Sequence, residues 1–192
     1  NYNIAIGYQA GNAITTGDGN TAIGYQSQRD FVEGAYNTSL GYSALGGLHD
    51  TTADASTENT AVGYNALAGD WVTATSSRNV AVGAYSSDAA LNGVNGNVAV
   101  GYATLGANIT GDNNVVIGDY ALDAGTESSN VIAIGANACG GAIEDAADGT
   151  IAIGRDALTA LTTGANCLGI GYRAMTTNTT GQDNIAIGFD SL

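Results

Sequence analysis

The 192-residue chain has no proline and no lysine, one histidine, one tryptophan and two cysteines. The single His49 leaves almost no material for a Ser-His-Asp array or a histidine-based metal centre. Lysine is absent and arginine is limited to Arg29, Arg78, Arg155 and Arg173, against 18 acidic side chains, so the net charge is −14. Such a surface repels phosphate, which argues against nucleic acid and an anionic membrane leaflet as partners. Its simplest use is solubility, which a long stack of strand edges needs. No apolar run approaches a membrane span and no signal-peptide pattern is present, so membrane insertion by this segment is not expected. Cys139 and Cys167 fall in different columns of the repeat described below. They read as free thiols acting as small buried residues.

What the chain has instead is one phrase, repeated. Asn, a β-branched residue, a small residue, an aliphatic and Gly recur from NIAIG at 3–7 to NIAIG at 184–188. The closing glycines are Gly7, Gly24, Gly41, Gly63, Gly83, Gly101, Gly118, Gly135, Gly154, Gly171 and Gly188, separated by 17 to 22 residues. A period this short and steady predicts one coil of a β-solenoid per repeat, eleven in all, over a single unit spanning 1–192. Abundant Gly, Ala, Thr, Val and Ile suit β-structure with tight corners, and helix formers are few. The chain opens in mid-motif, does not begin with Met and lacks capping sequences, which reads as a segment of a longer protein.

Two positions in each phrase, three before Gly and one before Gly, are β-branched or aliphatic and share one face of an extended strand. The position between them is Ala in eight coils, with Ser39, Val116 and Gly169 as exceptions. The bulky face is expected to fill the coil, leaving a smooth strip of Ala and Gly for close packing of a neighbouring chain. After Gly comes an aromatic column, Tyr8, Tyr25, Tyr42, Tyr64, Tyr102, Tyr172 and Phe189, then a second apolar column of Leu45, Leu67, Leu105, Leu122, Leu158, Met175 and Leu192. The aromatic rings read as a stacked shield for the core or a subunit seam, or as an exposed row for sugar rings. Asn3, Asn20, Asn37, Asn59, Asn79, Asn97, Asn114 and Asn184 stand four before Gly, and Asn130 and Asn166 one place early. This column is expected to turn corners and to form an amide ladder from coil to coil.

The phrase N-[TSV]-A-[IV]-G followed by Y-x-A-L resembles the head repeats of YadA-like trimeric adhesins and the NTAxGYxAL repeats of phage tail fibres, over essentially the whole chain. The resemblance implies an all-β, left-handed parallel β-roll with three identical chains, intertwined or side by side. It implies an extracellular fibre, on a virion tail or a bacterial surface, that attaches to a cell-surface receptor such as a glycan or surface protein. Coils of 17 to 22 residues are longer than those of the adhesin heads.

The functional expectation is a non-enzymatic, receptor-binding or structural segment of an adhesive fibre. The alternatives are a polysaccharide-degrading tail spike, which needs a carboxylate pair, and a pure spacer. No cofactor is expected; calcium is the one metal for which equivalent corners, at Asp18 and Asp112, offer oxygen ligands, and a turn explains these residues equally well. Thr occupies the strand column only at Thr21, Thr38 and Thr60, too few for an ice-binding rank. The longest insertions follow Gly41 and Gly63, and insertions in solenoids gather on binding faces. Leu48, His49, Asp50 and Trp71, with Arg29 and Phe31, are the candidate recognition patch.

Overall fold

A computed structural model describes residues 2–47, 55–71, 74–89, 91–141, 143 and 147–192. Each phrase forms one three-residue strand. The strands are β1 (Ile4–Ile6), β2 (Thr21–Ile23), β3 (Thr38–Leu40), β4 (Thr60–Val62), β5 (Val80–Val82), β6 (Val98–Val100), β7 (Val115–Ile117), β8 (Ile132–Ile134), β9 (Ile151–Ile153), β10 (Leu168–Ile170) and β11 (Ile185–Ile187). They pair in sequence order, all parallel and all in register, into one eleven-stranded sheet. The chain is therefore an all-β solenoid.

The expected inside and outside of the strand are reversed. The central residue is the buried one: Ala22, Ser39, Ala61, Ala81, Ala99, Val116, Ala133 and Ala152 all lie in the core. The flanking Ile, Val, Thr and Leu side chains point outward, with Leu40, Val82 and Ile117 exposed by 47%, 36% and 39%. The reason is room. The leucine column, with Leu45, Leu67, Leu105, Leu122, Leu158 and Met175 buried, already fills the narrow coil from the opposite side. At Gly169 an added Cβ would sit 3.0 Å from Leu158 Cδ1, so the strand can contribute little more than a methyl group.

The repeat glycines do serve a close approach, but to the next coil rather than to another chain. Their φ values lie between +130° and +143°. A Cβ at Gly83 would stand 2.1 Å from the carbonyl oxygen of Gly101. Only glycine combines that backbone geometry with that contact.

Beyond the glycine the chain bends through an arc in which alternate residues have positive φ, as at Ser43 and Leu45 or Asn65 and Leu67. Alternation lets successive N–H groups point to opposite neighbours: Ser43 donates to Tyr25 in one coil and Leu45 to Ala66 in the next, at 2.8 and 2.9 Å. The arc therefore stays hydrogen-bonded along the stack without being a strand. Phe31, Trp71, Leu91, Val94, Val131, Ile143 and Leu161 fill the remaining side of the core.

Candidate functional site

The outward strand residues make a flat, two-column aliphatic face. One column runs Ile4, Thr21, Thr38, Thr60, Val80, Val98, Val115, Ile132, Ile151, Leu168, Ile185; the other runs from Ile6 to Ile187. At ~4.8 Å per strand the face is roughly 50 Å tall, and at ~3.3 Å per residue about 10 Å wide. That is on the order of 500 Å², as large as the biggest apolar patch of a typical monomer.

One glycine further along each coil stands the aromatic column. Tyr8, Tyr25, Tyr42 and Tyr64 stack face to face with centroids 4.8 to 5.2 Å apart. Tyr85, Tyr102 and Tyr120 continue the row edge to face. Tyr85 and Tyr120 sit one residue later than the others, behind Ala84 and Asp119, and the offset hid them from the column pattern. In the stacked part each inner ring spends its faces on its neighbours, and Tyr25 and Tyr42 remain about half exposed. That geometry suits a rigid seam better than sugar stacking, which needs an open face. Arg155 replaces the ring in one coil and lies over Tyr172, 5.5 Å from its centroid, and Tyr172 in turn stacks on Phe189.

From Asn20 to Asn114 the asparagine column is buried, and each amide there brackets the following corner. Asn20 Nδ2 donates to the Gly34 carbonyl at 2.7 Å, while its Oδ1 accepts the Asn37 N–H at 2.9 Å. The same pair of bonds recurs from Asn37, Asn59, Asn79 and Asn97 to the coil after each. Asn130 and Asn166 do not join. Both lie outside the ladder with φ near +55°, and Val131 and Cys167 take the ladder positions.

A second ladder, two residues earlier, escaped the sequence reading because its members differ. Thr57, Ser77, Asn95, Asp112 and Ser129 each donate a backbone N–H to the side chain of the next coil's equivalent residue, ending at Asp148. What they share is a short side chain with an oxygen acceptor.

Of the candidate recognition patch, Arg29, Phe31 and Trp71 are among the described residues. Leu48, His49 and Asp50 lie outside the described residues. Phe31 and Trp71 are buried and pack edge to face at 5.0 Å, so neither ring is offered to a ligand. Arg29 pairs with Asp30 at 2.8 Å, a bond that raises its pKa further. Asp112 accepts from Asn95, and Asp18 is exposed at an equivalent corner. Among the described residues no three His, Cys, Asp or Glu side chains are grouped to hold a metal ion.

The chain matches no family model, no curated protein and no solved structure. The outward face therefore stands on its own geometry. Cys139 and Cys167 are buried and unbonded to each other. Burial, reinforced by the nearby Cys167, pushes the Cys139 thiol up to about 12. It is a packing residue, not a nucleophile.

Proposed function

We propose that this chain is a non-enzymatic segment of an extracellular adhesive fibre, a left-handed β-roll assembled as a homotrimer, of the kind carried by phage tails or bacterial surfaces. Its role is to project and multiply contacts with a cell-surface receptor, glycan or protein. The observation that carries the reading is the outward aliphatic face. A monomer gains nothing from two columns of Ile, Val and Leu, broken only by Thr21, Thr38 and Thr60, in water, whereas copies packed on them bury the whole strip. The stacked tyrosines beside it fit a rigid seam, and threefold repetition turns weak contacts into avidity.

Solution mass tests the assembly. The segment is expected to run as a trimer, and Val82→Asp with Ile117→Asp is expected to give a monomer of unchanged circular dichroism. A parent chain that is monomeric at high micromolar concentration would remove the reading. Binding of the trimer to candidate host cells tests adhesion. The burial of Phe31 and Trp71 favours a second reading, a spacer that holds a receptor-binding domain elsewhere in the fibre. A trimer that binds no cells would select it.

A further inference from the structure

A face that repeats every coil meets an identical surface after each one-coil slip of a partner copy, and uniform columns specify no axial register. One block breaks the uniformity. Thr21, Thr38 and Thr60 occupy three consecutive coils, between Ile4 on one side and Val80 on the other, and are direct cross-strand partners. Their neighbours Ala22, Ser39 and Ala61 point into the core, so the three threonines lie on the outward face. None of their hydroxyls has a hydrogen bond to a described residue. No other coil carries a hydroxyl in either outward column.

We infer that the Thr21, Thr38 and Thr60 block sets the axial register and parallel sense of the copies that assemble on this face. This rests on the self-association reading above. In a threefold assembly a residue meets its own copies only beside the axis, so the threonine column lies there. In register, hydroxyl meets hydroxyl in three layers, and each can donate and accept around a closed ring. A slip of one coil sets Thr60 against Val80 and Thr21 against Ile4. A slip of three coils separates every threonine from its copies. A fully overlapped antiparallel copy opposes the block with Leu168, Ile151 and Ile132. Each alternative buries hydroxyls against methyl groups, and a buried hydroxyl without a partner is penalised. One polar position among apolar ones fixes register in coiled coils by the same physics.

The test is disulfide trapping between chains. Val115→Cys and Ile151→Cys chains, two coils apart in the same column, are refolded together and oxidised. The two positions are separated by roughly 9.6 Å along the stack, beyond the ~7 Å a disulfide spans. Cys139 and Cys167 are buried and take no part. The parent background is expected to give homotypic disulfides only. In a Thr21→Val, Thr38→Val, Thr60→Val background of unchanged circular dichroism, heterotypic disulfides are expected to approach their statistical share. The inference is overturned if the triple variant stays homotypic, if the parent is already heterotypic, or if a trimeric parent gives no disulfide. A monomeric parent, seen by mass before oxidation, removes the self-association reading instead.

Discussion

The backbone N–H of Asn95 donates to Oδ1 of Asp112, one coil further on, at 2.6 Å. At the following corner the bond runs the other way: Asn114 donates its N–H back to Oδ1 of Asn97 at 2.7 Å. Two side-chain ladders thus climb the same edge of the solenoid in opposite senses. Both answer one problem. Where the chain turns between strands, backbone amides lose their sheet partners and need an acceptor.

The two ladders differ in burial, and this sets the size of their effects. Asn79→Ala removes the acceptor for Asn97 N–H and the donor to the Val94 carbonyl, both buried. Urea denaturation is expected to show a loss of about 2–6 kcal/mol, at ~1–3 for each of the two unsatisfied groups. Asp112→Ala, at a half-buried corner open to water, should lose about 1 kcal/mol, and Asp112→Asn nearly nothing. Equal losses for Asn79→Ala and Asp112→Ala would contradict the difference in burial.

Cys167 stands in the asparagine column but reproduces only half of the bracket. Its Sγ donates to the Gly181 carbonyl at 3.0 Å, and a thiol gives the Asn184 N–H no oxygen to bond. Cys167→Asn is expected to raise stability by about 1 kcal/mol, the net worth of one added hydrogen bond. A fall in the denaturation midpoint would show that the site lacks room for the amide.

Tyr36 has φ +58° and occupies the corner position that Asn113 and Asn130 fill in other coils, at similar angles. Its side chain is 65% exposed, so little packing offsets the backbone cost. Tyr36→Asn is expected to stabilise by about 0.5–1 kcal/mol, since Asn tolerates this region better than an aromatic residue. The reverse change, Asn113→Tyr, should cost a similar amount. Thermal unfolding of the pair checks both signs.

Asp88 and Asp123 are half-buried, and desolvation raises the pKa of each; for Asp88 the Asp123 charge adds to it. Tyr85 and Tyr120 stand close enough to feel them. A carboxylate whose folded pKa lies above its unfolded value destabilises the fold while ionised. The penalty is present above the folded pKa and fades as pH falls through it towards the unfolded value. From these two groups, stability is expected to rise on mild acidification. Asp88→Asn with Asp123→Asn should raise stability at neutral pH and flatten that dependence. A double variant with the parent's slope between pH 4 and 7 would contradict this.

The period was legible residue by residue, because Gly83 and its equivalents have no substitute: their φ and the carbonyl of the next coil exclude any Cβ. The core column of Leu45, Leu67 and Leu105 was legible for the same reason, being bulky and regular. Tyr85 and Tyr120 were not, since a one-residue offset in the arc keeps the ring in the row while breaking the text. Nor was the second ladder, where Thr, Ser, Asn and Asp serve one purpose. Trp71 looked like a surface residue because its coil carries an insertion, and Phe31 because it stands in the coil before the longest one, yet both rings are buried against each other.

By itself the sequence determined the repeat, the parallel in-register strands and which side chains share a face. Alternation of large and small has period two, and that period is blind to which face looks inward. Only the closed coil decided it. With a leucine already reaching across from the arc, the narrow interior admits alanine and turns the isoleucines and valines outward, where they form the face on which the proposed assembly rests.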